Sequence, residues 1–303
     1  MNYRSNLEKL LLENKFVVTA EVGPPKGCDA DKIRVKAEKL RGFVDAFNVT
    51  DNQTAVVRLS SLGGSIILKD MGLEPIMQIS CRDRNRIAIQ SDVLGASACG
   101  IRNILFISGD HQSFGNHPDA KGVYDVDSIQ LVKIVKNMRD KGIFQNGDKI
   151  KYGRPQIFIG AASNPFAYPY KYRVERLEKK INAGSDFIQT QSVYNLDRFR
   201  EYMKDVCSRG LDKKVSILAG ITPLKSLRMA ERMKFHVPGV DIPDEIYKRM
   251  KNSNDPKKEG FKISLELISE IKKIKGLKGV HITALFWEDI IPDLVKASDL
   301  LDR

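Results

Sequence analysis

The residues of this chain that could do chemistry sit where its hydrophobic runs stop. The run 16–20 (FVVTA) ends in one carboxylate, Glu21, followed by Gly23, Pro24 and Pro25. β-Branched and aromatic residues in such a run predict a buried strand, and the Gly-Pro-Pro sequence predicts a rigid turn after it. An acid at a strand's C-terminal lip is placed where chemistry could be done, and the plain alternative is a salt-bridged strand end. Later runs end alike: in Thr50 with Asp51, Gln78 with Ser80, the Ser108-Gly109-Asp110 turn, the stretch 161–164 (AASN), Gln191 and Thr222. Such a set holds one acid at the first lip and another at the fourth, with amides and hydroxyls between them. It contains no paired metal carboxylates and no Ser-His-Asp constellation. His111 and His117, six apart in a polar loop, read as loop residues rather than metal ligands.

Positioning these lips requires strands at 16–21, 46–51, 74–81, 103–109, 156–162, 187–191, 215–221 and 279–285. Helical patterns follow them at 29–43, 56–71, 84–99, 126–139, 171–182, 196–208, 224–233 and 290–301, with a short helical lead-in before the first strand. An additional helical segment (IPDEIYKRM, then ISLELISEIKKI) fills the widest gap, between strands seven and eight. Gly72 and Gly100 are placed to end helices two and three. Eight alternations at intervals of about 30 residues predict parallel strands with right-handed crossovers, and eight strands close a barrel. The expectation is a single-domain (β/α)8 TIM barrel over 1–303, with extra helices between strands 7 and 8. Barrel enzymes build their sites on the C-terminal face, where the lips gather.

Composition narrows the classes. The chain is 42% hydrophobic and has no apolar run near the ~18 residues of a membrane span, so a soluble globular protein is expected. The N-terminal stretch alternates charge with Leu and lacks a small-residue cleavage site, which points to the cytoplasm. Cys28, Cys81, Cys99 and Cys207 lie far apart, without CxxC spacing, and read as reduced thiols. A net charge of +12 favours anionic partners. Nucleic acid is not expected among them, because the basic residues are spread over helical stretches and no recognition motif is present.

Taken in order, AEVGPP, NVTD, QISCRDRN, GIRNILFISGD, INAGSDFIQTQ, VPGVDIPDEI and GVHITALFWE make the chain resemble the methylenetetrahydrofolate reductase family over essentially its whole length. The likeness is to the short forms of acetogens and other anaerobes more than to the bacterial type with its own nicotinamide site. The resemblance implies a flavin, FAD with FMN as the alternative, across the barrel mouth, and a folate stacked on it. Hydride would pass from the reduced flavin to the methylene carbon of methylenetetrahydrofolate.

Carried over residue by residue, Glu21 matches the acid that assists opening of the five-membered ring, and partial shielding by Pro24 and Pro25 suits a carboxyl that holds its proton near neutral pH. Asp110 matches the carboxylate of the family's Arg-Gly-Asp turn, beside flavin and pterin, with Ser108 standing where that Arg would be. Gln191 matches the amide that meets the pterin; it could instead satisfy neighbouring loop backbone. Thr50, Gln78, Gly109, Ala161, Ala162 and Lys180 match flavin-contact positions. Of these, Ala161 and Ala162 equally suit close-packed core, and Lys180, in RLEKKINAG, equally suits a solvated helix face. Met233 stands where NADH-dependent members carry a stacking aromatic, and the acetogen-type relatives work with a zinc-containing or electron-delivering partner subunit. Two rival expectations remain: a pterin-binding barrel methyltransferase acting with a corrinoid protein, and a non-catalytic barrel subunit of a larger complex.

Overall fold

The computed structural model describes residues 3–301. In chain order the regular elements are α1 (Asn6–Leu12), β1 (Val17–Glu21), α2 (Asp31–Leu40), β2 (Ala46–Val49), α3 (Ser61–Asp70), β3 (Pro75–Ser80), α4 (Arg86–Ala98) and β4 (Asn103–Ile107). They continue with α5 (Ser128–Asp140), β5 (Phe158–Ser163), α6 (Arg173–Ala183), β6 (Phe187–Ser192), α7 (Leu196–Ser208) and β7 (Ser216–Ile221). The chain then runs through α8 (Leu227–His236), α9 (Asp244–Asn252), α10 (Pro256–Lys272), β8 (Leu277–Ile282) and α11 (Ile290–Ala297). The strands pair in sequence order, all in parallel, and β8 closes on β1. This is the expected (β/α)8 barrel, and the additional segment before β8 is the pair α9 and α10. Among the described residues no helix is long and apolar enough to cross a membrane.

The strand period of two divides the core. Val18, Ala20, Phe47, Val49, Met77 and Ile79 point outward into the shell shared with the helices. Val17, Ala46, Ile76, Leu105, Phe158, Phe187 and Leu218 point inward and form the lower interior layer, where the Phe158 and Phe187 rings stack with centroids 5.2 Å apart. Leu7 and Leu11 of α1 join this layer and plug the N-terminal end of the barrel. The plug is tied down at its first turn, because Glu74 accepts from the backbone N–H groups of Asn6 (2.9 Å) and Leu7 (2.6 Å) and from Asn103 Nδ2 (3.0 Å). An acid at a helix N-terminus satisfies two orphan donors and opposes the helix dipole. With the floor closed, ligands enter from the strands' C-terminal end.

Element boundaries differ from expectation where polar contacts override hydrophobic pattern. Helix α3 begins at Ser61, with Ser60 accepting from Gly63 N at 3.1 Å, rather than at 56. The residues before it instead fold over the mouth. The last helix ends at Ala297 rather than 301. Gly72 and Gly100 do end α3 and α4, with φ of +73° and +80°.

Candidate functional site

Above the apolar layer the inward positions turn polar. Asn48 and Gln189 exchange reciprocal amide hydrogen bonds across the barrel (2.6 and 3.0 Å), and Gln189 Nε2 also donates to Thr19 Oγ1 (3.1 Å). Thr19 Oγ1 lies 2.9 Å from His281 Nδ1, and His281 Nε2 lies 3.3 Å from Thr283 Oγ1. Burial pushes the imidazole down to about 4, so it is neutral at physiological pH. One step further along the strands, the inward positions open into a cavity of about 1010 Å³.

Glu21 is the next inward residue of β1 after Thr19, and it lines this cavity. Burial raises its carboxyl to about 7, the nearby Glu288 carboxylate pushes the same way, and Lys36 and Arg58 oppose. Lys36 and Glu288 are themselves ion-paired at 2.8 Å. Arg58 Nη1 donates to Pro24 O at 3.1 Å, fixing the turn that leaves β1.

Across the mouth, Asp110 is exposed, and its Oδ2 accepts from Thr54 N at 2.9 Å. Gly109 before it has a φ of +82°, and a Cβ there would come within 3.0 Å of Ser80 Cβ and 3.2 Å of Arg82 Cβ, so both backbone and space require glycine. Arg82 is 3% exposed and joins three loops. It donates to Asp110 O (3.0 Å), to Asn52 O (3.2 Å) and to both carboxylate oxygens of Asp83 (2.6 Å each). The segment it holds contains three left-handed non-glycine residues, Asn52, Thr54 and Ala55, and strain of this kind concentrates at functional sites.

Nine of the ten site residues expected from sequence line the one cavity: Glu21, Thr50, Gln78, Ser108, Gly109, Asp110, Ala162, Lys180 and Gln191. Ala161 does not. It alternates with Ala162 on β5 and packs, fully buried, in the outer shell against the helices. Thr50 Oγ1 bonds to Gln53 Oε1. Lys180 reaches in from α6, is 8% exposed rather than solvated, and donates to Ala162 O at 2.5 Å. Burial, with Arg176 nearby, lowers its ammonium to about 8. A register shift between β6 and β7 surrounds Gln191, whose Oε1 accepts from Ser192 N at 2.9 Å. Its oxygen therefore serves the adjoining backbone at the end of β6, while its Nε2 donates to no group among the described residues. Met233 of α8 is 6% exposed and also lines the cavity. Asp51, by contrast, is structural: it accepts from Ser80 N (2.8 Å) and pairs with Arg84 (2.7 Å).

Sequence reading missed most of the cations. The lining includes Arg58, Arg82, Arg173, Arg176, Lys180, Lys225, Arg228 and Arg232 against the carboxylates of Glu21, Asp51 and Asp110. Arg58 Nε and Arg173 Nε are buried without a hydrogen-bond partner. The available signal was the density of Arg and Lys in QISCRDRN and in the starts of α6 and α8. Their convergence depends on the closed barrel.

Comparison with known proteins follows the same line. The family model for methylenetetrahydrofolate reductase matches residues 6–299. The 5,10-methylenetetrahydrofolate reductase of Buchnera aphidicola subsp. Baizongia pistaciae is 23% identical, covering 95% of this chain and 94% of its own. Methylenetetrahydrofolate reductase 2 of Saccharomyces cerevisiae is 29% identical over 60% of this chain but only 30% of its own length. The chain spans 44% of the probable methylenetetrahydrofolate reductase (NADPH) of Caenorhabditis elegans, at 22% identity. Among solved structures, a Clostridium thermocellum protein described as binding two copies of 5-methyl-5,6,7,8-tetrahydrofolic acid superposes with a TM-score of 0.66. The match is 16% identical and covers 98% of this chain and 99% of that one; at such identity the likeness is one of fold.

Proposed function

The chain belongs to the methylenetetrahydrofolate reductase family, and from that premise we propose that it reduces 5,10-methylenetetrahydrofolate to 5-methyltetrahydrofolate with a flavin, FAD, bound across the barrel mouth. The observation that carries the reading is Glu21, a cavity-lining carboxyl held near 7 by its surroundings. A general acid is most useful when its proton affinity matches the working pH.

The residues present fit a flavin. The lining is rich in cations, suiting a diphosphate, and two of its guanidinium nitrogens lack protein partners. Gly109 and Ala162 bring little or no side chain to the cavity lining, where a ring would approach backbone. Thr50, Gln78, Ser108, Gly109, Asp110, Ala162 and Lys180 would hold it, while Ala161 takes no part through its side chain. A volume near 1010 Å³ stands at the upper end of the ~300–1,000 Å³ of single-ligand pockets, which favours the larger FAD and a second ligand beside it. When bound in its reduced form, the flavin supplies the hydride for the methylene carbon.

The chain's own residues do the rest. Glu21 gives its proton to the departing ring nitrogen of the substrate as the five-membered ring opens to the iminium. Gln191 Nε2 is available to the pterin edge, and Asp110 lies across the mouth from Glu21 in the same lining. The hydrogen-bonded layer of Thr19, Asn48, Gln189 and His281 closes the floor beneath the ligands and excludes bulk water there. Electron input is assigned to a partner subunit, because the buried thioether of Met233 offers no aromatic platform to a nicotinamide, although its sulfur can still pack against a ring. The test is a visible spectrum of the reconstituted chain with identification of the released cofactor, followed by anaerobic turnover of methylenetetrahydrofolate with a chemical reductant. A folded chain that binds neither FAD nor FMN refutes the reading in favour of the rival, the corrinoid-linked methyltransferase.

A further inference from the structure

A second groove lies at the opposite end of the barrel, where α5 returns to β5. The connection 141–157 takes 17 residues, against the ~2–6 usual for such a link. It folds into a small turn with an antiparallel bridge between Ile143 and Lys149, closed by Phe144 N to Asp148 O at 2.9 Å. The turn is fastened to its surroundings at several points. Gln145 N donates to Gln90 Oε1 (2.9 Å), Gln156 N to Ser97 Oγ (3.0 Å) and Arg154 Nη1 to Asp140 O (3.0 Å). Its shape therefore stands without any partner.

Between this turn and α4 runs an open groove of about 930 Å³. Its apolar lining comes from Leu94, Phe144 and Ile150, and its charge from Arg102, Lys149, Lys151 and Arg154. The carboxylate in the lining, Asp148, is already engaged by Asn146 Nδ2 at 2.6 Å. Lys149 and Lys151 form no ion pair among the described residues. Tyr152, beside them, is 98% exposed, more than any other large hydrophobic side chain described. A pinned loop that presents an unpacked tyrosine among unpaired cations over an apolar lining has the composition of an interface core with a basic rim.

We propose that this groove docks an acidic segment of another protein, seating one apolar side chain on Leu94, Phe144 and Ile150 between carboxylates that meet Lys149, Lys151 and Arg154. Charge complementarity selects the partner. A small anion would leave the Tyr152 ring in water, and a nucleic-acid backbone would gain nothing from Leu94 and Ile150. The site lies at the far end of the barrel from the cavity, so the proposal stands or falls independently of the reaction assigned to the mouth.

The probe is a fluorescein-labelled peptide of twelve residues with a central Phe flanked by Glu and Asp, titrated with the full chain and followed by anisotropy. Saturable binding is expected, weakened about tenfold by the K149E/K151E pair, which corresponds to ~1.4 kcal/mol. Tyr152→Ala should weaken it severalfold. Binding should fall as salt rises from about 50 to about 300 mM, because rim charges are screened. Melting temperature and flavin content of these variants should match the parent, since none of the residues lines the mouth. The proposal is overturned if the peptide fails to saturate, or if the groove variants bind it as the parent does while R228E/R232E does not. It is equally overturned if an RNA oligonucleotide binds the groove more tightly than the peptide, or if the groove variants instead abolish a dimer of the chain.

Discussion

Replacing Glu21 by Gln tests the electrostatics of the site without requiring any substrate. Its carboxyl has an ordinary value of 4.5 and is raised to about 7 in the folded chain, first by burial and then by Glu288. The native state thus holds this proton more tightly than the unfolded chain. Stability is undiminished below pH 4.5 and falls as pH rises toward and through 7. At about 1.4 kcal/mol per pH unit, ionising the native carboxyl costs ~3 kcal/mol, reduced to ~2–3 because the group opens partly to the cavity. Gln copies the shape of the protonated acid and has no proton to lose. At pH 4 variant and parent should melt within about 1 °C of each other, and at pH 8 the variant should melt roughly 5 °C higher, given a few °C per kcal/mol for a chain of this size. Differential scanning fluorimetry or urea titration of the flavin-free protein at the two pH values reads the effect. A difference between variant and parent that does not change with pH, or a variant less stable at pH 8, refutes the burial argument. Glu288→Gln supplies an internal control. It removes the like charge and frees Lys36 from its 2.8 Å ion pair, so both changes lower the proton affinity of Glu21 and should flatten the pH dependence.

In stopped-flow traces, Glu21→Gln should keep its flavin and its reducibility while the folate half-reaction slows by about 10²- to 10⁴-fold, and an unchanged half-reaction would make Glu21 structural. Gly109→Ala forces a Cβ to within 3.0 Å of Ser80 at a φ of +82°; a loss of ~1–3 kcal/mol and a lower flavin content are expected from denaturant titration and absorbance. Glu74→Ala removes the acceptor of the two N–H groups that open α1 and should cost ~1–3 kcal/mol without changing ligand spectra, an outcome that separates the floor from the mouth. Anaerobic mixing of the flavin-loaded chain with NADH and then NADPH should bleach the flavin band slowly relative to a chemical reductant. Rapid bleaching by either nucleotide would give the chain a hydride-donor site of its own.

The order of strands and helices was legible in the sequence because each rests on short-range periodicity, and the polar lips were legible because each is the point where a local hydrophobic run stops. Helix ends were less so: 56–60 carry a pattern compatible with helix, yet Ser60 caps at Ser61 and the preceding chain is drawn over the mouth by Arg82 and Asp110. Ala161 and Ala162 are alike in sequence, but the barrel's inward parity puts one in the outer shell and the other in the cavity. Residue type cannot report that parity; it is fixed by register with the neighbouring strands. The same holds for Lys180, whose sequence suits a solvated helix face as well as a site position and which is buried by the strand it packs on. What the sequence determined by itself was the barrel and the chemical types gathered at its lips. Only tertiary closure decided the proton affinity of Glu21, which depends on burial by the assembled mouth and on Glu288 and Lys36 brought together from opposite ends of the chain. Desolvation and charge–charge energies depend on distances in space, which local patterns do not contain.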